Sequence, residues 1–255
     1  MSTDDQAINR VADVLRDARH IVALTGAGVS AESGVPTFRD KLTGMWEKYD
    51  PTQLATPDAF RADPALVTKW NAWRRRLILD TEPNPAHAAL VELETRMLGS
   101  GRSFTLITQN IDRLHHRAGS RDPIEVHGNI MEWRCSKTGA IVEPTDEMLE
   151  RPPVKTEAGG FLRPNVVWFG EALPEDAINR SMDALAACDV FLSIGTSAVV
   201  FPAAGFCQVA QQAGATAVEI NRDPTPLTSV VDVSIRGSAA EILPALVARV
   251  FGRGA

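Results

Sequence analysis

A pair of glycines directly behind a short apolar run is the first place where this chain could do chemistry: Thr25-Gly26-Ala27-Gly28-Val29-Ser30-Ala31-Glu32-Ser33-Gly34. Glycines after a buried strand let the backbone approach a diphosphate, and a following helix start can offer N–H groups to it. The spacing is not G-x-G-x-x-G, and a lone G-x-G serves equally well as a tight strand-to-helix turn. Pro36-Thr37-Phe38-Arg39-Asp40 follows before any second strand. Arg39 can neutralise a diphosphate there, and Phe38 can shield a reactive sugar carbon from water. A core phenylalanine and a surface arginine are the plain alternative. Thr108-Gln109-Asn110-Ile111-Asp112 lies just beyond an apolar run ending at Ile107, where open α/β sheets bind ligands. His127-Gly128-Asn129 ends another run, and a histidine in that position can act as a general base near neutral pH. Gly195-Thr196-Ser197 and Glu219-Ile220-Asn221 end two more. Polar or glycine-bearing strand ends repeated along one edge point to a nucleotide site.

Absences narrow the chemistry. The sequence has no G-x-x-x-x-G-K-[ST] phosphate loop, no G-x-S-x-G nucleophile elbow and no H-E-x-x-H zinc helix. A structural, hydrogen-bonded role suits His20, His87, His115 and His116 better than catalysis, since His115 and His116 sit on an expected helix without a ligand-spaced partner.

The elements that must position these residues alternate. A helix is expected over 7–18, with Ile8, Val11, Leu15 and Ala18 on helical spacing, and a buried strand over His20 to Thr25. Further apolar runs lie at 104–107, 124–126, 166–169, 190–194, 215–220 and 231–235, with helical patterns at 85–98 and 175–187. Strands alternating with helices predict an α/β fold, a doubly wound parallel Rossmann-like sheet covered on both faces. Two stretches break the alternation. Residues 41–80 carry tryptophans, prolines and helical patterns, and residues 130–163 are rich in Pro, Glu, Lys and Gly. They are expected to form a small inserted domain, a helical module plus a degenerate zinc-ribbon-like segment, beside a larger domain of 1–40, 81–129 and 164–255.

Composition agrees with a globular chain. In 255 residues, 44% are hydrophobic and 23% charged, which excludes a largely disordered protein. A net charge of −6 argues against a general nucleic-acid binder and suits cationic peptide partners. Three cysteines, Cys135, Cys188 and Cys207, fit a reducing compartment without a disulfide framework. The polar, acidic start MSTDDQAINR does not read as a signal peptide, and none is expected. The uncharged stretch 190–218 is broken by Gly195, Pro202, Gly205 and Gly214, so it reads as strand, turn and helix, not as a membrane span. A cytoplasmic protein with no membrane partner is expected.

With these segments side by side, the sequence resembles the sirtuins, the NAD-dependent protein-lysine deacylases. The ordered set is GAGVSAESGVPTFRD, LATPDAF, PNPAHAAL, TQNIDRLHHRAG, VHGN, RPNVVWFGE, IGTSAVVFPAAG and EIN. LATPDAF and RPNVVWFGE are most similar to a branch that includes bacterial deacetylases and desuccinylases. The resemblance implies that Gly26, Ala27, Gly28, Ser30, Glu32, Phe38 and Arg39 hold NAD and cover its nicotinamide ribose. It implies that Gln109, Asn110, Ile111 and Asp112 position that ribose and the carboxamide, with Asn110 and Asp112 acting beside His127, the general base. Gly195, Thr196, Ser197, Asn221 and Ala239 would contact phosphates, ribose and adenine. Val167, Phe169, Gly170 and Glu171 would line the acyl-lysine channel, with the substrate peptide pairing as an extra strand. In the implied reaction the acyl oxygen attacks the ribose carbon as nicotinamide leaves, which gives free lysine, nicotinamide and O-acyl-ADP-ribose.

Two departures from the family pattern stand out. The sirtuin zinc is held by two C-x-x-C pairs; aligned on them, Cys135-Ser-Lys-Thr138 and Lys155-Thr-Glu-Ala158 keep one cysteine of four, and Glu143, Asp146 and Glu157 are poor substitutes. No zinc is expected; Trp133, Val142 and Phe161 would hold the small domain by packing. The desuccinylase branch binds acidic acyl groups with a Tyr and an Arg three residues later, and the same register puts Asn71 and Arg74 there, with Ala55 as the small residue of a roomy pocket. Tyr49, the one tyrosine, lies far upstream in sequence, and Arg74-Arg75-Arg76 equally suits a solvated helix face. Deacetylation is expected first, with desuccinylation or demalonylation open. The alternatives are a protein ADP-ribosyltransferase using the same nicotinamide site and a non-catalytic NAD-sensing or partner-binding module.

Overall fold

A computed structural model describes residues 3–36 and 49–252. Phe38 and Arg39 lie outside the described residues. Six strands form a parallel sheet: β1 (His20–Thr25), β2 (Ser103–Thr108), β3 (Ile124–Glu125), β7 (Val190–Ile194), β8 (Thr216–Asn221) and β9 (Val233–Arg236), in the order β3-β2-β1-β7-β8-β9. The chain leaves β1 toward β2 on one side and returns beside β1 as β7 on the other. The crevice above the carboxyl ends of β1 and β7 is therefore the topological switch point, where such sheets bind ligands.

Side chains alternate across the sheet, so each strand feeds two cores. Ile21 and Ala23 face α1 (Thr3–Asp17), α5 (Pro85–Gly99) and α10 (Ala239–Phe251), whose Leu15, Leu90, Leu93 and Leu246 are fully buried. Val22 and Leu24 face α8 (Glu175–Ala187) and α9 (Phe206–Gln212) through Leu185, Phe206 and Ala210. Both faces are apolar, which is why these strands read as continuous hydrophobic runs. The helices start as their residues dictate: Asn84 caps α5 ahead of Pro85, and Ser238 caps α10.

The smaller layer differs from the expectation in detail. The 41–80 stretch holds three helices among its described residues, α2 (Pro51–Leu54), α3 (Pro57–Ala62) and α4 (Pro64–Leu79), each capped by an Asp or Thr with Pro at its start. The 130–163 stretch contains most of β4 (Gly128–Cys135), β5 (Ile141–Val142), helix α7 (Asp146–Glu150) and the first two residues of β6 (Leu162–Val166), with short helix α6 (Leu114–Ala118) preceding it. The strand expected at 166–169 is β6, four residues earlier, and it pairs antiparallel with β4 in a separate three-stranded sheet. The run misled because Val166 and Trp168 are buried in an apolar cluster with Trp70 and Phe60 although the segment has left the strand. That sheet begins at Gly128 and extends to Val166, inside segments assigned to the larger domain. Trp133 and Val142 pack together with Leu149 and Leu162, as expected, whereas Phe161 packs against the other cluster, that of Trp70 and Trp168.

Candidate active site

The carboxyl ends of β1, β2, β7 and β8 converge on one floor. Gly26 N–H donates to Ile194 O at 3.0 Å and Gly28 N–H to Gly195 O at 2.8 Å. A Cβ on Gly28 would lie 2.7 Å from Gly195 O, so here the glycines bring two strand ends into backbone contact. The Gly26 N–H is thus bonded to the end of β7 and the Gly28 N–H to the residue that follows it. Gln109 Nε2 donates to Thr196 Oγ1 at 2.9 Å and Asn221 Nδ2 donates to Thr196 O at 2.9 Å, which ties β2 and β8 to the same loop. Ser197 is half-buried beside them and Ala239 is buried at the start of α10. Glu32 accepts from Arg222 at 2.6 Å and from the Ser238 hydroxyl, a link from the β1 loop to the β8 and β9 ends.

Behind the floor lies a buried polar network. Ser30 Oγ donates to Asp112 Oδ2 at 2.7 Å, and Asn110 Nδ2 donates to Ser30 Oγ at 3.1 Å. Asp112 Oδ1 accepts from Leu114 N–H at 2.9 Å, and burial is the largest influence on its carboxyl, raising it above the usual range. Ile111 is half-buried against the Trp70 cluster. Two of the histidines read from the sequence as structural and hydrogen-bonded, His87 and His115, join this network. His87 caps its own helix, its Nδ1 accepting from Asn84 N–H at 3.2 Å, and its Nε2 lies 3.5 Å from Ser30 Oγ. His115 contacts Thr25 Oγ1 at 2.9 Å, and its ring lies 4.8 Å from that of His87, tilted by 58°. The Asn84-Pro85-Ala86-His87 helix start fixes His87 in the first turn of α5, facing Ser30. Burial holds His87 down to about 4 and His115 well below its usual value, so both are neutral near pH 7.

His127 sits in the turn between β3 and β4, with its Nδ1 3.0 Å from Gln109 O. A carbonyl only accepts, so Nδ1 carries the proton and Nε2 has the free lone pair. Burial lowers the ring below its usual value, against the opposing pull of the Gln109 bond, so Nε2 is available as a base at neutral pH. The strand ends thus deliver one oriented imidazole beside a glycine floor.

The segment after β6 is less open than expected. Val167 N–H donates to His127 O at 2.9 Å and Phe169 N–H to Ala55 O at 2.9 Å, so these donors are taken within the chain. Glu171 accepts from Arg163 at 2.6 and 2.9 Å and from Trp168 N–H at 2.9 Å. This arrangement closes the turn through Gly170. Phe169 is 44% exposed. Arg74 lies half-buried with its guanidinium 4.7 Å from the centre of the Trp70 ring, Arg75 pairs with Asp146, and only Arg76 is largely exposed; the three are not a uniform solvated face. Tyr49, distant in sequence, packs in the same cluster as Ala55 and Trp70. Asn71 is fully buried, with Nδ2 donating to Val67 O at 2.9 Å and Oδ1 without a hydrogen-bond partner.

The residues at the family's zinc positions do not fit zinc. Cys135 Sγ lies 3.0 Å from Thr156 Oγ1, and a Cβ on Gly160 would meet that sulfur at 2.9 Å, so the two loops touch directly. Hydrogen bonds from Thr138 and Thr156 pull the thiol down to about 6. Thr138, Lys155 and Ala158 supply no thiolate, and no His, Cys, Asp and Glu group able to hold a metal occurs among the described residues.

A parallel doubly wound sheet with polar strand ends at its switch point and one oriented base defines a dinucleotide-binding enzyme class. Residues 26–202 match the Sir2 family. The chain is 49% identical over 243 residues to NAD-dependent protein deacylase 2 of Pyrobaculum aerophilum, covering 95% of this chain and 96% of that protein. It is 46% identical over 249 residues to NAD-dependent protein deacylase 1 of Pseudomonas aeruginosa, covering 94% and 98%. The solved complex of a Sir2 homologue with NAD superposes with a TM-score of 0.87 at 44% identity, covering 95% of this chain and 93% of that one. A Sir2 complex with a p53 peptide and NAD gives 0.83 at 31% identity, covering 93% and 95%. The chain belongs to the Sir2 family and is an enzyme of that family.

Proposed function

We propose that this chain removes acyl groups from protein lysines with NAD as co-substrate, and acetyl before acidic acyl groups. The observation that carries the reading is His127, held by the Gln109 carbonyl in the tautomer a base needs, over a floor of four converging strand ends. NAD, when bound, supplies an electrophilic ribose carbon and nicotinamide as leaving group. Ser30, Asn110 and Asp112 hold the loop that orients that ribose, and His127 Nε2 takes a proton from its hydroxyl. Gly26, Ala27 and Gly28 form the floor with Gly195 and Thr196, and Asn221 fixes the Thr196 loop where the adenosine half would lie. Val167, Phe169 and Gly170 face a peptide, a role consistent with the peptide complex of a Sir2 relative.

The acyl preference rests on α4. An acidic acyl group calls for a hydroxyl donor beside a guanidinium, whereas Asn71 presents a buried carbonyl oxygen, its amide donating to Val67 O. Arg74 keeps its charge, burial lowering it to about 10, and its guanidinium covers Trp70. Product mass spectrometry with NAD and acetyl-, malonyl- and succinyl-lysine peptides tests this. O-acetyl-ADP-ribose should form fastest, and Arg74→Ala should change the acetyl rate less than about threefold. Preference for succinyl peptides abolished by that variant would overturn the acyl choice; ADP-ribose left on protein would overturn deacylation.

The reading includes a zinc-free small sheet, supported by the Cys135–Thr156 contact and the Trp133 cluster. Purified protein should hold well under about 0.1 zinc per chain, and a strong chelator should leave Tm unchanged to about 1 °C. Stoichiometric zinc would refute it. Three free, buried cysteines suit the reducing cytoplasm we infer for it. Among the described residues no helix is long and apolar enough to cross a membrane.

A further inference from the structure

The five-residue turn that carries His127 is closed by side chains. Glu125 ends β3 and Asn129 is the second residue of β4; across Val126, His127 and Gly128, Asn129 Nδ2 donates to Glu125 Oε2 at 3.1 Å. Asn129 Oδ1 accepts from the N–H groups of Met131 at 3.2 Å and Glu132 at 2.9 Å, where β4 departs from regular register with β6. Gly128 has φ +68, and a Cβ there would lie 2.1 Å from Asn165 O, so only glycine lets the turn pass under β6.

Glu125 is also anchored outside the turn. Arg113 Nη1 donates to its Oε2 at 3.3 Å and lies 3.8 Å from Glu132, while His116 Nδ1 is 3.4 Å from its Oε1. Asn165 Nδ2 donates to Glu132 at 3.1 Å. Arg113 stands in left-handed backbone directly after Asp112, so the clasp joins the His127 turn to the loop that holds Ser30 and Asn110. The Glu125 side chain is 14% exposed. A buried carboxylate with this many partners stays in place only while all of them are positioned.

We propose that Glu125 is a positioning residue for His127, its carboxylate clasping Asn129 and Arg113 so that the imidazole stays against the Gln109 carbonyl. The inference rests on the reading of His127 as the base. The charged and titratable groups around Glu125 are Arg113 before α6, His116 of α6, whose ring burial lowers, Glu132 of β4, and Asp122 beside His116, itself paired with Arg180 of α8. Burial is the main cause that pushes the Glu125 carboxyl up to about 7, with Arg113 and Asn129 opposing. Protonation near neutrality therefore weakens the clasp to Arg113, and the acidic limb of activity contains Glu125 as well as His127.

The test uses the full chain with Glu125→Gln, Asn129→Ala and the double variant. Steady-state kinetics with an acetyl-lysine peptide and NAD run from about pH 5.5 to 9, beside 13Cε1 NMR of the imidazoles in the free protein, with His127→Ala giving the assignment. Each single variant should lower kcat about tenfold, with KM for NAD within about twofold, and the double variant should lose no more than the worse single. In Glu125→Gln the acidic limb should move to lower pH, where His127 alone titrates, and the His127 resonance should broaden or shift. Wild-type kcat and an unmoved limb in a folded Glu125→Gln would overturn the proposal, as would losses that multiply in the double variant. The NMR arm needs no turnover. If wild type cleaves no acyl peptide the deacylase reading fails, while an unchanged His127 resonance in Glu125→Gln sinks the clasp on its own.

Discussion

His127→Ala should leave a folded protein that binds NAD and has lost about a hundred- to ten-thousandfold in kcat/KM on an acetyl-lysine peptide. The size follows from what the imidazole alone supplies. Its Nδ1 proton is committed to Gln109 O at 3.0 Å, so Nε2 is the one basic atom the turn offers. No other imidazole of the network can replace it. His87 has its Nδ1 on Asn84 N–H and its Nε2 toward Ser30, and His115 contacts Thr25 from behind the floor. Loss of one half-buried ring on a turn clasped by Glu125 and Asn129 should move Tm by only a few degrees, about 1 kcal/mol in stability. The measurement is kcat/KM by product mass spectrometry, paired with NAD titration by calorimetry. A loss below about tenfold would remove His127 from the role of base. Loss of NAD binding alongside activity would instead make it a cofactor contact.

The pH dependence has a definite sign. A base works in its neutral form, and burial lowers the His127 ring below its ordinary value. Activity should therefore be full at alkaline pH and fall as pH drops, with the His127 part of the fall lying below the usual imidazole range. Any part of the limb nearer pH 7 belongs to Glu125, the carboxyl raised to that value in the same turn.

Much of this arrangement is legible in the sequence, and the reasons are physical. The parallel strands are buried on both faces, so β1, β2 and β7 announce themselves as short apolar runs ending in Gly26, Gln109 and Gly195. Because the sheet is doubly wound, those ends must share one edge, and the site follows from topology. The small sheet was less readable. β4 carries a register irregularity held by the Asn129 side chain, and β5 has two residues, so neither shows an alternating pattern. The 166–169 run reads as a strand because it is apolar, but its apolar residues are there to pack on Trp70 and Phe60, and burial without periodicity does not name the element. Tyr49 illustrates a different limit. Its distance in sequence says nothing about its packing, since the helices α2 to α4 bring Tyr49, Ala55 and Trp70 into one cluster. The glycine run signals a close approach of backbone, and the neighbour that comes within reach of Gly28 is the Gly195 backbone.

Gly195→Ala should be among the most damaging single-atom-group additions in the chain, lowering Tm by about 10 °C, whereas Gly214→Ala should lower it by about 3 °C. Both glycines occupy left-handed backbone, φ +59 and +97, so each alanine variant meets the steric penalty of that region, about 1–2 kcal/mol. The difference lies in space. At Gly214, at the end of α9, a Cβ meets nothing within 4 Å. At Gly195 it would fall 2.5 Å from Val29 N and 2.7 Å from Gly28 C, both main-chain atoms that cannot rotate away. The loop would have to move off β1, breaking Gly28 N–H to Gly195 O and disturbing Thr196, whose hydroxyl and carbonyl hold Gln109 and Asn221. NAD at about a hundred times its Kd should raise the wild-type stability by about 2.7 kcal/mol. The same addition should leave Gly195→Ala almost unshifted and Gly214→Ala shifted as wild type is. Thermal melts with and without NAD decide it. Equal Tm losses in the two variants would mean that the β1–β7 contact yields easily. A normal NAD shift in Gly195→Ala would mean that the cofactor does not depend on the floor these glycines make.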